Sequence, residues 1–358
     1  MTDTRMENSR PVSAAPLVSV ILLSYNQEDS VGAAIESVLA QDCPFPFELI
    51  IGDDASADST RAVCERYAAA RPDVVRLMPA APNKGVVRNY FDCFSHCRGR
   101  YVTDCAGDDR WSDPSKLRAM AALLEADPSV NVVFSDWEIL DESTGHRSRR
   151  SDSPDFPPVG DACRDDAPLR VSGRRLLRMI LDHTADLPYN LSASLFRREV
   201  VQKVLDEAPL MVCNPDFGCE DLPVMAALAA AGDACYYPRP TLCYRIVPDS
   251  LTHTADLTKL LRFHSKSLHA AAALTEFYGL PQSDVSRMFR RKAAFLVALA
   301  FDSLDSENVR LVRSALAEWT LPLPTALRLR LSITRSPFLW RIALGVKKML
   351  CQMLKNIK

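Results

Sequence analysis

The stretch Leu17-Val-Ser-Val-Ile-Leu-Leu23 is almost continuously apolar, which is typical of a strand buried on both faces of a sheet. The stretch Phe47-Glu-Leu-Ile-Ile51 has the same character, and apolar residues repeat at helical spacing between the two. Further strand patterns occur at 74–78, 101–103 and 130–135, each after a helical pattern. This alternation predicts an α/β fold with a Rossmann-like, mainly parallel sheet flanked by helices.

Polar and charged residues follow each of the first four predicted strands. They are Ser24-Tyr25-Asn26, Gly52-Asp53-Asp54, Asn83-Lys84-Gly85 with Arg88-Asn89, and Ala106-Gly107-Asp108-Asp109. Turn and capping preferences explain any one of these groups, but they explain four consecutive groups poorly. Because ligands of open α/β sheets bind beyond the carboxyl ends of the strands, we expect a site at this edge. Hard carboxylate oxygens there suit Mg²⁺ or Mn²⁺ with an organic diphosphate, whose charge Lys84 and Arg88 would help to offset.

The composition excludes several common classes of protein. Only 12 of the 358 residues are glycine, and no two glycines lie closer than Gly99 and Gly107. The G-x-G-x-x-G, P-loop and G-x-S-x-G motifs are therefore absent, which disfavours dinucleotide-binding enzymes, P-loop NTPases, kinases and typical α/β-hydrolases. The net charge of −2 disfavours a nucleic-acid partner. Eleven cysteines without a C-x-x-C motif, after a start that lacks an apolar signal core, predict reduced thiols in a cytoplasmic protein.

Three motifs together resemble those of family 2 glycosyltransferases of the GT-A fold. They are Val18-Ser-Val-Ile-Leu-Leu-Ser-Tyr-Asn26, Asp53-Asp-Ala-Ser-Ala-Asp-Ser-Thr60 and Gly107-Asp-Asp-Arg-Trp-Ser-Asp-Pro-Ser-Lys-Leu117. The resemblance runs from about residue 17 to residue 245. It implies an inverting, metal-dependent enzyme that moves a sugar from a nucleotide-diphosphate sugar, with a UDP-sugar as the expected donor. It further implies a glycan or lipid-linked acceptor, as in the synthesis of bacterial O-antigen or capsule.

The resemblance also implies roles for individual residues. By position, the nucleotide-sugar would contact Ser24, Tyr25, Asp54, Lys84, Arg88 and Asp108, and the metal would bind Asp109 together with Asp108. The catalytic base would be Asp221, which follows Glu220 at a predicted helix start. The alternative is that both carboxylates only stabilise the helix N-terminus electrostatically.

Two positions depart from the family pattern. Ala106 stands where the family often has an acid, and Val247 where it often has a histidine, with His253 six residues further on. These departures leave open an inactive nucleotide-sugar-binding or scaffold protein. A sugar nucleotidyltransferase is a weaker alternative, because such enzymes need a glycine-rich basic loop after the first strand. The absence of Q-x-x-R-W argues against a processive cellulose- or chitin-type synthase.

The pattern predicts three regions. Residues 1–16 are polar and are expected to form a disordered lead-in. Residues 17–248 form the predicted GT-A domain, in which 141–170 is a long surface loop. Residues 249–358 form a helical region.

The helical region is expected to end in a basic amphipathic helix over 337–358. The segment from Ala326 to Lys358 has eight Lys and Arg residues and no Asp or Glu. One apolar stripe comprises Leu339, Ile342, Ala343, Val346, Leu350, Met353, Leu354 and Ile357. Such a helix either lies in an anionic membrane surface or packs on the protein with a solvated basic face. The first alternative fits a peripheral enzyme on the inner face of the cytoplasmic membrane. The longest apolar run, Ala293–Phe301, has nine residues and is too short to span a bilayer, which needs about 20.

Overall fold

The protein is described from a computed structural model, which covers residues 15–152, 167–183, 189–247 and 254–355, with side chains as far as residue 349. Most of the predicted lead-in, part of the predicted 141–170 loop, and His253 lie outside these ranges. Within them, ten strands form one mixed sheet. The strands are β1 Val18–Ser24, β2 Phe47–Asp53, β3 Val75–Leu77, β4 Tyr101–Asp104, β5 Arg110–Trp111, β6 Val130–Asp141, β7 Arg147–Arg149, β8 Leu169–Val171, β9 Ser194–Arg197 and β10 Asp233–Ile246.

Twelve α-helices occur in the same ranges. They are α1 Val31–Leu39, α2 Thr60–Ala70, α3 Val86–Ser95, α4 Lys116–Ala126, α5 Gly173–Asp182, α6 Arg198–Glu207, α7 Asp221–Ala231, α8 Leu257–Phe277, α9 Gln282–Asp302, α10 Ser306–Ala317, α11 Thr325–Ile333 and α12 Pro337–Lys355. The last five make up the predicted C-terminal helical region. The α/β class with an added helical region is therefore confirmed.

The sheet has the order β3-β2-β1-β4-β9-β6-β10-β5, with β7 beside β6 and β8 beside β10. The longest ladders, β1 with β2 and β6 with β10, are parallel. The antiparallel ladders to β5, β7, β8 and β9 are short. Because β1 runs parallel to both β2 and β4, the strand ends at Ser24, Asp53 and Asp104 meet at one edge, as the sequence predicts.

Buried clusters cover both faces of this sheet. Along β1, Ile21 points to a cluster shared with α3, α5 and α7, while Val20 and Leu22 point to a cluster shared with α1, α2 and α4. This alternation is the two-residue period of a strand. A third cluster lies within α8–α12, and residues such as Leu274 of α8 and Met288 of α9 belong to the first. The C-terminal helices therefore pack directly on the α5 and α7 side of the sheet.

Close packing requires glycine at several positions, two of which bear on the strands of the polar edge. A Cβ on Gly99 would lie 2.5 Å from the backbone nitrogen of Ser19, and one on Gly52 would lie 2.6 Å from Cys93 Sγ. Real Cβ atoms do not approach other atoms so closely, so a larger residue would push β1 or α3 away. Both positions lie next to the strands that end at the polar edge.

Part of the 141–170 stretch differs from the loop that was predicted. The strand β6 continues to Asp141 and forms a hairpin with β7, and a 3₁₀ turn over 150–152 follows. The hairpin turn between β6 and β7 is stabilised because the Asp141 carboxylate accepts the N–H groups of Ser143, at 2.9 Å, and Thr144, at 3.3 Å. The other end of the stretch enters β8. The end of β6 and the strands β7 and β8 could not be predicted from composition, because exposed strands at the edge of a sheet need no alternation of apolar residues.

The last helix is buried along a different line from the predicted stripe. Trp340 and Leu344 are buried, and the Trp340 indole N–H donates to Phe301 O at 2.8 Å. Leu339, Ile342 and Val346 of the predicted stripe are about half exposed, at 52%, 49% and 47%. The stripe's side chains beyond residue 349 lie outside the description. In the part of the chain that the structure covers, no helix combines the length and apolarity that a membrane span requires.

Candidate active site

Three adjoining cavities open at the carboxyl edge of the sheet. The outer cleft, of about 920 Å³, lies beyond β1 and β2, and Tyr25 and Asp54 are among its lining residues. The acidic cavity, of about 220 Å³, is lined by carboxylates that include Asp109. The aromatic cavity, of about 460 Å³, is lined by Trp137, Tyr189, Tyr244, Phe263 and Phe295 among others.

The predicted nucleotide residues Ser24, Tyr25 and Asp54 all line the outer cleft. Tyr25 is half exposed, whereas Ser24 and Asp54 are buried. Both carboxylate oxygens of Asp54 accept backbone N–H groups, one from Lys84 and one from Gly85, at 2.9 Å each. Asp54 therefore also fixes the loop that precedes α3, which the sequence did not reveal.

Lys84 and Arg88 are placed differently from the other predicted nucleotide residues. The Lys84 ammonium, which precedes α3, is paired with the carboxylate of Asp92 within that helix. Arg88 is exposed, and neither side chain lines the outer cleft, whereas their neighbours Asn83 and Gly85 do. The backbone of this loop thus borders the cleft, while its two cations point elsewhere.

Asp108 and Asp109 both line the acidic cavity, and Asp108 also lines the outer cleft. Asp109 is buried, and its Oδ1 accepts the backbone N–H of Arg245 at 3.0 Å. Burial raises the pKa of both carboxyl groups, and the charge of Asp108 raises that of Asp109 further. The side chain of Gln27 opposes the shift in the pKa of Asp108 through a hydrogen bond.

Glu220 and Asp221 lie at the start of α7, as predicted, but on different walls. Glu220 lines the acidic cavity and the outer cleft, while Asp221 lines the acidic cavity and the aromatic cavity. Desolvation by the surrounding helices raises the pKa of Asp221 to about 6. The pKa of Glu220 is raised well above its usual value by burial and by the charge of Asp221.

Asp104 is a site residue that the sequence reasoning missed. It ends β4, is buried, and accepts a hydrogen bond of 3.4 Å from the Tyr90 hydroxyl. Burial and the charge of Asp221 raise the pKa of Asp104 well above its usual value. The available signal was its place at the carboxyl end of a buried strand, the rule that pointed to Asp54 and Asp108.

The outer cleft also receives side chains from the C-terminal region, which the sequence reasoning did not connect with the site. Lys259, Arg262 and Lys266 of α8 line it. Their spacing of three and four residues on a predicted helix was the signal that would have found them. Two residues depart from the family pattern. Ala106 lines the outer cleft and the acidic cavity. Val247 is the last residue of a described segment.

The acid pair fits a divalent ion that a substrate helps to bind. No group of three or more His, Cys, Asp or Glu side chains that would hold a metal occurs among the described residues. Mg²⁺ is usually held by one or two carboxylates and completes its shell with substrate phosphates and water. Asp108 and Asp109 offer such a partial set, and a bound cation would relieve the repulsion that raises the pKa of Asp109.

Comparisons with known proteins agree with this arrangement. The putative glycosyltransferase EpsE of Bacillus subtilis is 36% identical over 131 residues, which are 37% of this chain and 46% of EpsE. The UDP-Glc:alpha-D-GlcNAc-diphosphoundecaprenol beta-1,3-glucosyltransferase WfgD of Escherichia coli is 27% identical over 128 residues, 36% of this chain and 48% of WfgD. The chain spans less than half the length of the curated relatives it matches.

The fold is also found in a solved structure. Residues 1–349 of S. aureus TarS, in complex with UDP-GlcNAc, align with a TM-score of 0.59 at 16% identity. The alignment covers 90% of this chain and 88% of that one. The model of glycosyl transferase family 2 matches residues 19–205, more than half of the chain. With the acid pair and the strand-end motifs in the places described above, the chain belongs to glycosyl transferase family 2.

Proposed function

We propose that the protein is an inverting, metal-dependent glycosyltransferase that moves a sugar from a nucleotide-diphosphate sugar to a hydroxyl of a glycan or lipid-linked acceptor. The observation that carries this proposal is the position of Asp221. Its carboxylate lies on the wall between the acidic cavity and the aromatic cavity. A general base needs this position, because it must reach the acceptor hydroxyl while the donor sugar is held next to it.

The donor would occupy the outer cleft and the acidic cavity. Tyr25 offers an exposed ring for a base, and Asp54 lies beside it on the same wall. UDP as the nucleotide is supported by the names of two similar proteins, since TarS was solved with UDP-GlcNAc and WfgD is a UDP-Glc transferase.

Asp108 and Asp109 would hold Mg²⁺ or Mn²⁺. When bound, the ion would supply positive charge that stabilises the departing nucleoside diphosphate. The protein contributes two buried or half-buried carboxylates with raised pKa values. Arg245 fixes the orientation of Asp109 through its backbone N–H and adds a guanidinium that donates to Asp108 O at 3.2 Å.

The acceptor would bind in the aromatic cavity. Rings of Trp137, Tyr244 and Phe263 offer flat apolar faces for sugar C–H groups, and the volume of about 460 Å³ suits a small ligand. Burial lowers the pKa of His264 to about 4, and that of His183 is lowered well below its usual value, so both imidazoles are neutral at pH 7. The two imidazoles therefore add no positive charge to the aromatic cavity, whose lining also includes Arg150 and Asp221.

The chemistry then follows from these positions. The acceptor oxygen forms a bond to the anomeric carbon while the bond from that carbon to the diphosphate oxygen breaks. The hydroxyl proton passes to the Asp221 carboxylate. Because the acceptor approaches from the side opposite the leaving group, the anomeric configuration inverts.

We further propose a peripheral location on the inner face of the cytoplasmic membrane and a role in O-antigen- or capsule-type polysaccharide synthesis. The α12 residues Phe338, Leu339 and Met349 are 72%, 52% and 56% exposed, and the same helix carries exposed cations such as Arg341 and Lys348. The cysteines described with side chains are free thiols, which suits a reducing compartment. The lipid-linked acceptor is supported by the name of WfgD, which includes an undecaprenol diphosphate.

A panel of UDP-, GDP- and dTDP-sugars tests the donor and the reaction. With Mn²⁺ present, one donor should raise the midpoint of thermal unfolding, and the protein should release its nucleoside diphosphate. Asp109→Ala should abolish release. Arg290→Ala, an exposed residue of α9, is the control and should leave release unchanged. If no donor stabilises the protein or reacts, the proposal is wrong.

A binding-only protein is the second candidate, favoured by Ala106 in the acidic cavity. The same panel distinguishes it, because a binding-only protein would be stabilised by a donor without releasing nucleoside diphosphate. Release that depends on Asp109 would exclude this candidate.

A further inference from the structure

One helix of the C-terminal region brings three cations to the outer cleft. Lys259, Arg262 and Lys266 of α8 are three and four residues apart, so they project from one side of the helix. All three line the cleft of about 920 Å³ that Tyr25 and Asp54 also line. The cleft is therefore shared between the family 2 sheet and a helix outside the matched family segment.

All three cations are exposed, and none of them has a carboxylate partner among the described residues. Two other cations at this edge are already engaged, because Lys84 pairs with Asp92 and the Arg245 guanidinium contacts Glu142 at 2.6 Å. Three like charges on one helix face repel each other. An anion in the cleft would remove that repulsion.

The opposite side of the same cleft is acidic, so a diphosphate bound there needs positive charge beyond that of a metal at the acid pair. The carboxylate side chains of Asp108 and Glu220 line it. A diphosphate that approaches these carboxylates would be repelled unless cations lie on its other side. In the described structure, Lys259, Arg262 and Lys266 of α8 supply these cations.

Lys266 is also held next to the turn that carries the catalytic pair. Gly218 has a φ of +80°, and a Cβ there would lie 2.9 Å from Lys266 Cδ. The aliphatic part of Lys266 thus packs on the turn just before Glu220. This contact fixes the start of the lysine side chain while its ammonium remains exposed.

We propose that Lys259, Arg262 and Lys266 bind the diphosphate of the donor, so that the C-terminal helical region completes the donor site. The inference rests on the proposed function, since it assigns the phosphates of that donor to α8. Arg262 can bind two phosphate oxygens at once through its planar guanidinium, and the lysines act as point charges.

The test compares the wild-type protein with the triple variant K259Q/R262Q/K266Q by calorimetric titration. The probes are UDP, GDP and dTDP, each paired with its nucleoside, with Mn²⁺ and separately with EDTA. The variant should bind the preferred nucleoside diphosphate at least about tenfold more weakly. Its affinity for the nucleoside should stay within about twofold. This difference should persist in EDTA, because it does not depend on the metal.

A matched variant, K203Q/R290Q/R310Q, removes three exposed cations that do not line the cleft and should bind like the wild type. Circular dichroism and thermal unfolding check that both variants fold.

The outcomes separate the two proposals. If the wild type binds a nucleoside diphosphate and the α8 variant binds it equally well, the inference is wrong and the proposed function stands. If the wild type binds none of the three, the proposed function is contradicted and the inference with it. A short-chain prenyl diphosphate is the last probe: if the variant loses affinity for it alone, α8 serves the acceptor, and the donor assignment is overturned.

Discussion

Glu220 and Asp221 are adjacent in sequence but line different cavities, so the roles proposed for them can be tested separately. Asp221 lines the aromatic cavity and Glu220 the outer cleft, while both line the acidic cavity. A base acts on the acceptor, so its loss affects turnover. A residue on the donor side affects the binding of the donor.

Asp221→Asn should therefore lower kcat by roughly 10²–10⁴-fold and leave the donor KM within about twofold. Glu220→Gln is the matched control, with the same loss of one charge, and should change the donor KM more than kcat. Steady-state kinetics with saturating acceptor measure both. An Asp221→Asn variant whose donor affinity falls as much as its turnover would contradict the assignment.

The pH dependence of turnover follows from the burial of Asp221. The carboxylate must be ionised to accept a proton, and burial raises its pKa to about 6. As the pH falls below 6, the ionised fraction and kcat should fall about tenfold per pH unit. Because Glu220 is adjacent, the observed midpoint belongs to the pair. A kcat profile between pH 4.5 and 8 measures it, and a midpoint near the ordinary value for Asp would count against Asp221 as base.

At the scale of elements, patterns that repeat within one segment predicted structure well. The apolar positions of α1, namely Val31, Ala34, Ile35 and Val38, are all buried. The strands β5 and β9 were not predicted, because both pair in the antiparallel direction and lie outside the repeating strand-helix pattern on which the prediction rested. The helix α10 lies within the predicted helical region, but its bounds were not predicted, although Asp305 caps it by accepting the N–H of Glu307 at 2.7 Å.

The orientation of α12 shows why the rest could not be predicted. Its sequence marks an apolar stripe, yet the protein buries Trp340 and Leu344, because the indole finds an acceptor at Phe301 O. Lys347 on the same side pairs with Asp302. Which line of a helix is buried depends on a partner surface that is distant in sequence. The cations of α8 were not predicted as site residues for the same reason, because the cleft that they line is formed by residues distant in sequence.

The exposed apolar residues of α12 give a prediction for membrane binding. The variant L339Q/I342Q/V346Q should float much less with vesicles that contain anionic lipid, because these half-exposed side chains would enter the interface. The control L210Q/F277Q/L304Q removes three exposed apolar residues elsewhere and should float like the wild type. Equal flotation of all three proteins would show that α12 only packs on the protein.

At the scale of the whole molecule, the site lowers the stability of the unliganded protein. Asp104, Asp109 and Glu220 have pKa values raised well above their usual range by burial. Between the unfolded and the folded pKa values, the folded state binds more protons than the unfolded state. The contribution of these three groups to stability is therefore greatest below the ordinary carboxyl pKa and is lost as the pH rises through that window.

The contribution of Asp109 can be isolated by comparing the midpoint of thermal unfolding of the unliganded wild type with that of Asp109→Asn as the pH rises above about 4, the ordinary carboxyl pKa. Mn²⁺ with UDP, at 100 times the dissociation constant, should restore about 2.7 kcal/mol. Asp109→Asn should raise the unliganded midpoint, because an amide keeps the hydrogen bond from Arg245 without the buried charge. It should also remove the stabilisation by Mn²⁺. A lower unliganded midpoint in this variant would mean that the carboxylate is needed for folding.

The shared walls of the cavities limit how this protein exchanges parts with its relatives. The family match ends at residue 205, but α7 supplies Asp221 and α8 and α9 supply Phe263 and Phe295. A chimera that keeps the sheet and takes its last helices from another family member would exchange donor and acceptor preference together. If the cavities bind donor and acceptor as proposed, exchanging the last helices would not transfer either preference alone.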